Sequence, residues 1–234
     1  IYYNRSGIPL LEIVSEPDLS SSKEALAFME ALRGILLFLC VSDCRMQEGS
    51  FRADVNVSVR PSKYCGLGTR TEIKNMNSYK AIRRAIDAES QRQIEFIKSG
   101  LSVRQETRRF DEQKGESLPM RSKENVMDYR YFPDPDLADL KIDDAFVDEI
   151  RAALPELPES KRKRYQTEFG LSTYEAFQLT SDPALSDLFE ATTALSGKPK
   201  DVASWIMGEV PKACRARDCP PDALPLPPPS LAAL

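Results

Sequence analysis

Two kinds of hydrophobic periodicity run along the chain and divide it into a strand-rich first part and a helical second part. Alternation with a period of two is clearest over residues 50–60 and predicts a strand with one face in a core. Its apolar side carries Phe51, Ala53, Val55, Val57 and Val59, and its polar side carries Arg52, Asp54, Asn56, Ser58 and Arg60. Residues 8–16 and 69–74 also favour strands, and residues 101–120 favour a hairpin.

Two long amphipathic helices are predicted among these strands. The first covers residues 22–39 and starts with a Ser-x-x-Glu capping box. The second covers residues 79–98, with Ser78 as its N-cap and Gly100 as its stop signal.

From about residue 142 onward the strand patterns stop and helical patterns replace them. The predicted helices cover about residues 143–153, 159–168, 172–179, 183–195 and 199–210. The chain is therefore predicted to be α+β. A β-rich domain with two long helices is expected at residues 1–142 and a small all-α helical domain at 143–212. Residues 213–234 are rich in proline and are expected to be low-complexity and disordered.

The composition excludes several classes of chemistry and of partner. The 234 residues include no histidine, which excludes Ser-His-Asp triads and histidine-based zinc sites. The net charge of −4 means that any RNA contact must come from a local basic patch. The basic run at residues 161–164 is expected to be a solvated helix face, with RNA contact as the alternative.

The cysteines and the apolar runs bear on location. Five cysteines without a CxxC pair are typical of free thiols in a reducing cytoplasm. No apolar run approaches the roughly 20 residues that a membrane helix needs. We therefore expect a cytoplasmic protein with neither a membrane nor a DNA partner.

Carboxylates lie in or beside the predicted strands and are candidate ligands for a metal. Glu12, Asp54 and Glu72 belong to three different predicted strands, and acidic side chains from three strands of one sheet can converge on Mg²⁺. Flanking basic groups such as Arg52 and Lys74 could neutralise phosphoryl oxygens during transfer. Structural ion pairs on a solvated face would have the same spacing, so both interpretations stay open at this point.

Several motifs, in the same order along the chain, resemble the B subunit of the aspartyl/glutamyl-tRNA amidotransferase. They are residues 4–18 (NRSGIPLLEIVSEPD), 48–58 (EGSFRADVNVS), 71–78 (TEIKNMNS), 105–111 (QETRRFD), 128–133 (DYRYFP) and 204–208 (SWIMG). The resemblance covers about residues 3–210.

The resemblance implies a fold and a reaction. Members of this family carry a cradle-shaped domain followed by a helical one. Misacylated Glu-tRNA(Gln) or Asp-tRNA(Asn) is activated by ATP at its side-chain carboxylate. The acyl phosphate then takes ammonia from a glutaminase, the A subunit, in a complex that also holds a small C subunit.

The same resemblance assigns candidate site residues. Glu12, Asp54 and Glu72 match acidic positions that line the pocket for Mg²⁺ and ATP. Arg52 and Lys74 are candidate catalytic residues, and Asn56 and Glu48 are candidates for contacts near the nucleotide. A structural ion pair is the alternative for each of these residues.

The chain also departs from the family pattern. The family has an amino-terminal portion with a Glu-x-His motif and a later acidic motif, and a carboxyl-terminal tail domain that grips tRNA. Neither is matched here, so we expect an inactive fragment of the family's full-length protein. The alternative is a non-catalytic RNA-binding or assembly module derived from it.

The segment at residues 128–133 is expected to be ordered, because its aromatic side chains can anchor it and Pro133 restricts its backbone. Arg130 would then either point its guanidinium at a carboxylate or phosphate or pair with Asp128 to stiffen the turn.

Overall fold

A computed structural model of the chain describes residues 7–62, 64–120 and 140–234. The described residues form two compact units. Residues 7–28 and 54–120 form the first, here called the sheet unit, and residues 29–53 and 140–234 form the second, here called the helical unit. The predicted α+β class is confirmed.

The sheet has four strands in the order in which they occur along the chain. They are β1 (Ala53–Val57), β2 (Thr71–Met76), β3 (Glu106–Asp111) and β4 (Glu116–Pro119). Strand β2 pairs in parallel with β3, and β3 pairs antiparallel with β4. In the β3–β4 turn the Asp111 carboxylate accepts backbone hydrogen bonds from Gln113 and Lys114, and Gly115 takes a left-handed φ of 72°. The predicted hairpin is therefore present.

Helix α1 runs over Ser22–Phe38, as the periodicity predicts. The predicted capping box forms only in part. The Ser21 hydroxyl accepts a hydrogen bond from the Glu24 N–H, but the Glu24 carboxylate accepts the N–H of Ser20, one residue before the N-cap.

Helix α2 (Tyr79–Lys98) is the crossover that parallel strands β2 and β3 require. The Ser78 hydroxyl accepts the Ala81 N–H at 3.0 Å, and Gly100 follows the helix with a φ of 74°. Both ends of the predicted helix are confirmed. The side chains of Ala81, Ile82 and Ala85 are fully buried, so this face of the helix belongs to the core of the sheet unit.

The remaining helices belong to the helical unit. They are α3 (Asp144–Ala153), α4 (Pro158–Glu168), α5 (Thr173–Leu179), α6 (Pro183–Ser196), α7 (Pro199–Arg217) and α8 (Pro228–Ala232). Tyr165, Phe169 and Phe189 form an aromatic cluster in the core, with ring centroids 4.8–5.7 Å apart.

One sequence-based expectation differs from this structure. Residues 8–16 do not form a strand, and Ile8, Leu10, Leu11 and Val14 are 64–81% exposed. A strand needs a neighbour to complete its backbone hydrogen bonds, and no described strand lies beside this segment. Its apolar composition alone therefore led to a wrong prediction.

Two further features concern the predicted domains, whose boundaries stay a prediction. Residues 29–53 belong to the helical unit and not with the sheet. The end of the chain contains a 3₁₀ turn at Pro221–Ala223 and helix α8, and Leu231 is buried in the core of the helical unit. Leucines spaced among the prolines supply the apolar contacts that a disordered tail would lack.

None of the described helices is long and apolar enough to cross a membrane.

Candidate active site

The candidate site is the polar face of the sheet, which the side chains of β1, β2 and β3 build together. On β1, Asp54 and Asn56 are exposed while Val57 is buried. On β2, Thr71 and Ile73 are buried, so Glu72 and Lys74 point to the opposite, more open face. The alternation that the sequence predicts for both strands is confirmed.

Lys74 joins two of the predicted metal ligands. Its ammonium donates a hydrogen bond to Asp54 Oδ2 at 3.0 Å and lies 3.1 Å from Glu72 Oε1. The hydrogen bonds to Asp54 and then to Glu72 raise the pKa of Lys74 above its usual value of 10.5. Lys74 is therefore a fixed positive charge at neutral pH, which suits it to stabilise anions rather than to accept a proton.

Strand β3 adds two residues to this face that the sequence did not single out as candidates. Thr107 lies opposite Glu72 in the parallel register and donates its hydroxyl to Glu72 Oε2 at 2.8 Å. Arg109 lies opposite Lys74 and is exposed. The alternation of Thr107, Arg108 and Arg109 could have indicated which side chains share a face. The pairing of β3 with β2, across a helical crossover, could not be inferred from spacing.

Among the described residues, the other predicted site residues take no part in the hydrogen bonds and ion pairs of this cluster given above. Glu12 is exposed within the segment of residues 7–20 that has no regular structure. Glu48 pairs with Arg45 at 2.8 Å in the helical unit, and Arg52 is an exposed residue just before β1. Asn56 shares the polar face of β1 with Asp54. Residues 128–133 lie outside the described residues.

The described residues include no group of three or more histidine, cysteine or acidic side chains placed to hold a metal ion. Two carboxylates thus lie together around Lys74, and the convergence of Glu12 with them stays a prediction.

The opposite face of the sheet is held by a buried polar network centred on Glu89 of α2. This carboxylate is fully buried and accepts two hydrogen bonds from Arg92, at 2.6 and 2.9 Å. Gln93 and Ser117 of β4 donate to it at 2.9 and 2.7 Å. Burial opposes the charged form, but these donors outweigh it and hold the pKa of Glu89 below its usual 4.5.

Gln93 extends the network to β1 and β2. Its amide donates to Val57 O at 3.0 Å and to the Thr71 hydroxyl at 3.3 Å, and it accepts the Val59 N–H at 3.1 Å. Because Thr71 and Glu72 are adjacent on β2, this network fixes the strand that presents Glu72 and Lys74 on the other face.

The basic run of residues 161–164 is not a solvated helix face, which corrects the expectation. Lys161 is buried and donates to Glu190 at 2.6 Å, and Arg164 pairs with Glu156 and Glu190 at 2.6 and 2.7 Å. Arg162 donates to the Thr180 hydroxyl and lies 4.6 Å from the Phe177 ring centroid.

The central acceptor of this second network is Glu190, and the network serves the fold of the helical unit. Tyr165 also donates to Glu190, at 2.7 Å. Burial disfavours the charged form of Glu190, but hydrogen bonds from Lys161, Tyr165 and Arg164 hold its pKa below the usual value. Three of the four cations in the run therefore have structural partners, and only Lys163, paired with Glu159, is fully at the surface.

A family model described as the GatB/GatE catalytic domain matches residues 1–148, and the chain belongs to this family. Several curated relatives are named as the B subunit of an aspartyl/glutamyl-tRNA(Asn/Gln) amidotransferase. The relative from Lachnoclostridium phytofermentans is 49% identical over 232 residues, which is 99% of this chain and 48% of the relative. The relative from Moorella thermoacetica is 50% identical over 99% of this chain and 49% of its own length. That from Nitrosococcus oceani is 51% identical over 88% and 44%.

The chain thus spans about half the length of the curated relatives it matches. The resemblance inferred from the motifs is confirmed, and the relatives' names describe one subunit of an amidotransferase that has several.

Proposed function

We propose that this chain takes part in the ATP-dependent step of tRNA-dependent amidation. In this reaction the side-chain carboxylate of misacylated Glu-tRNA(Gln) or Asp-tRNA(Asn) is activated as an acyl phosphate, which ammonia then converts to the amide. Such an enzyme is a carbon–nitrogen ligase. Its partners would be the tRNA, a glutaminase and a small third subunit. Family membership and the polar face of the sheet support the proposal.

The observation that carries the proposal is the cation held between two carboxylates at Lys74. Phosphoryl transfer to a carboxylate brings two anions together, so the site needs positive charge placed before the reaction begins. Lys74 is held by Asp54 and Glu72, and Thr107 orients Glu72 in turn. Arg109 adds a second cation on the strand beside it.

The donor set fits Mg²⁺ in type, because both side chains are carboxylates. Proteins commonly hold Mg²⁺ through one or two carboxylates and leave its other positions to water and phosphate oxygens. Asp54 and Glu72 are the residues that would hold the ion, with Glu12 as a third ligand. Bound with ATP, the ion would neutralise charge on the phosphoryl group. In the same proposal Arg52, Asn56 and Glu48 are contacts to the nucleotide or the substrate.

We further propose that the sheet unit is part of the cradle-shaped domain of this family and that the helical unit corresponds to its helical domain. The ordered β1–β3 face and the separate aromatic core of residues 165–189 support that correspondence.

The test is Glu72→Gln in the assembled amidotransferase whose B subunit includes this chain. Loss of the charge should lower ATP-dependent formation of amidated tRNA by roughly 10²–10³-fold, the usual cost of removing one preorganised electrostatic contact. Glutamine hydrolysis by the glutaminase partner should be unchanged, which shows that the complex still assembles. Asp54→Asn should behave in the same way.

Asp87→Asn is the matched control, because Asp87 is an exposed acid of α2 paired loosely with Arg83 at 3.9 Å. It should leave amidation unchanged. Full turnover in both Glu72→Gln and Asp54→Asn would overturn the proposed site. If the assembled enzyme bound tRNA but the chain contributed nothing to ATP-dependent turnover, the non-catalytic module would be the better assignment.

A further inference from the structure

Two cysteines meet at the carboxyl end of α7, where the helix stops. The residue that ends the helix, Asp218, has a left-handed backbone with φ 49° and ψ 48°. Its N–H and the N–H of Cys219 both donate to the carbonyl of Cys214, the second at 3.1 Å. The bond from Cys219 is the six-to-one hydrogen bond of a Schellman-type helix end, in which the side chains of the first and last residues frequently contact each other. Here the Cys214 and Cys219 thiols lie within hydrogen-bonding reach of one another.

The surroundings of the two thiols are consistent with this contact. Cys214 is half-buried and packs against the aromatic and aliphatic core of the helical unit. Cys219 is also half-buried, and the chain turns there into the segment that carries Leu224, Leu226 and Leu231 back to the same core. Burial raises the pKa of the Cys214 thiol, and the neighbouring Cys219 thiol raises it further.

We propose that Cys214 and Cys219 form a redox-active dithiol that closes to an intramolecular disulfide on exchange with a low-molecular-weight disulfide such as oxidised glutathione. The Cys219 thiolate attacks one sulfur of glutathione disulfide and expels a glutathione thiolate. The Cys214 thiolate then attacks the Cys219 sulfur and expels the second one. The two protons from the protein thiols pass to the two released glutathione thiolates, and the two electrons reduce the glutathione disulfide.

The order of attack follows from the environments of the two sulfurs. Cys214 is half-buried and its pKa is raised, so it is the poorer first nucleophile. Cys219 therefore forms the mixed disulfide with glutathione. The neighbouring Cys214 thiolate then attacks the Cys219 sulfur and resolves it. The oxidised form would tie the end of α7 covalently to the proline-rich segment at residues 220–234.

The experiment is equilibration of the full chain in buffers of graded reduced and oxidised glutathione, followed by alkylation and tryptic digestion. Trypsin cuts after Lys212, Arg215 and Arg217, so the disulfide would join fragment 213–215 to fragment 218–234 and give a distinct mass. Because the fold already holds the cysteines together, the equilibrium constant for closure should exceed that in concentrated urea by at least about tenfold. By linkage, oxidation should also raise the unfolding temperature of the helical unit.

Three variants separate this dithiol from ordinary surface thiols. Cys219→Ser and Cys214→Ser should each abolish the linked fragment and the stabilisation on oxidation. Both cysteines of the pair are replaced in turn, because Cys214 packs against the core and its replacement alone could disturb the fold. Cys65→Ser, which removes an exposed cysteine of the sheet unit, should change neither. Equal closure constants in buffer and in urea, or mixed disulfides with glutathione in place of the link, would overturn the proposal.

Discussion

Glu89 shows how a single buried charge can organise a sheet. The residue is fully buried, and its carboxylate accepts hydrogen bonds from Arg92, Gln93 and Ser117. Glu89→Gln would leave the Arg92 guanidinium without its closest charged partner and place an amide N–H₂ against other donors. Removing one partner of a buried ion pair costs about 3–5 kcal/mol, and we expect the sheet unit to lose stability of that order.

The measurement is urea unfolding followed by far-UV circular dichroism and by amide exchange in β2 and α2. The single tryptophan, Trp205, lies in the helical unit, so its fluorescence reports on the other part of the chain. Asp87→Asn, two residues earlier on the same helix but exposed, should change stability by less than about 0.5 kcal/mol. A Glu89→Gln variant as stable as Asp87→Asn would show that the network contributes little.

The same carboxylate predicts a dependence on pH. The folded protein holds the pKa of Glu89 below the usual 4.5, so Glu89 stabilises the fold above that pH. This stabilisation is lost as the pH falls through the lower, folded pKa. The difference in unfolding free energy between wild type and Glu89→Gln should therefore be constant near neutral pH and shrink below about 4.5. A difference that stays constant down to about pH 3 would contradict this assignment.

Among the elements, the connection between β1 and β2 depends on one glycine. A Cβ at Gly68 would lie 2.1 Å from the carbonyl oxygen of Val59, which is a backbone atom and cannot move aside as a side chain can. Gly68→Ala should therefore destabilise the sheet unit by about 1–3 kcal/mol. Gly66, two residues earlier in the same connection, has open space around it, so Gly66→Ala is the matched control and should be close to neutral.

Differential scanning calorimetry of the two alanine variants, with amide exchange in β2, would test this comparison. Equal melting temperatures would mean that the loop shifts without cost and that the close approach to Val59 does not constrain the fold.

The elements also show which patterns carry enough information to be predicted. Helix α2 was predicted at both ends because its signals are local: Ser78 caps the start, and Gly100 follows the end. The polar face of β1 and β2 was predicted from alternation within each strand. The strand predicted at residues 8–16 is wrong, because an apolar run becomes a strand only when another strand pairs with it. The roles of Thr107 and Arg109 depend on a parallel register that no local pattern reveals.

At the scale of the whole chain, non-local contacts decide what belongs together. Prolines and glycines marked the helices of the second half, yet the assignment of residues 29–53 to the helical unit follows only from tertiary contacts. In the same way, the basic run at residues 161–164 looked solvated in sequence, because its partner Glu190 lies more than 25 residues further along.

The activity expected of residues 1–234 alone depends on how many of the predicted metal ligands they bring together. Lys74 links Asp54 and Glu72, but Glu12 lies in an exposed segment whose apolar side chains face solvent. The chain spans about half the length of the relatives it matches. We therefore expect ATP hydrolysis stimulated by misacylated tRNA to be near background for the chain alone, even at high Mg²⁺.

The comparison that checks this expectation uses a full-length relative, such as the one from Moorella thermoacetica, assembled with its own partners under the same conditions. Binding of Mg²⁺ and ATP is measured directly by calorimetry, so weak nucleotide binding can be told apart from slow chemistry. Two carboxylates and one lysine without a third ligand should bind the nucleotide weakly, since each missing oxygen ligand leaves the charge on the ion and phosphates less neutralised. Turnover by the chain alone that matched the full-length relative would show that residues 1–234 already contain the complete site.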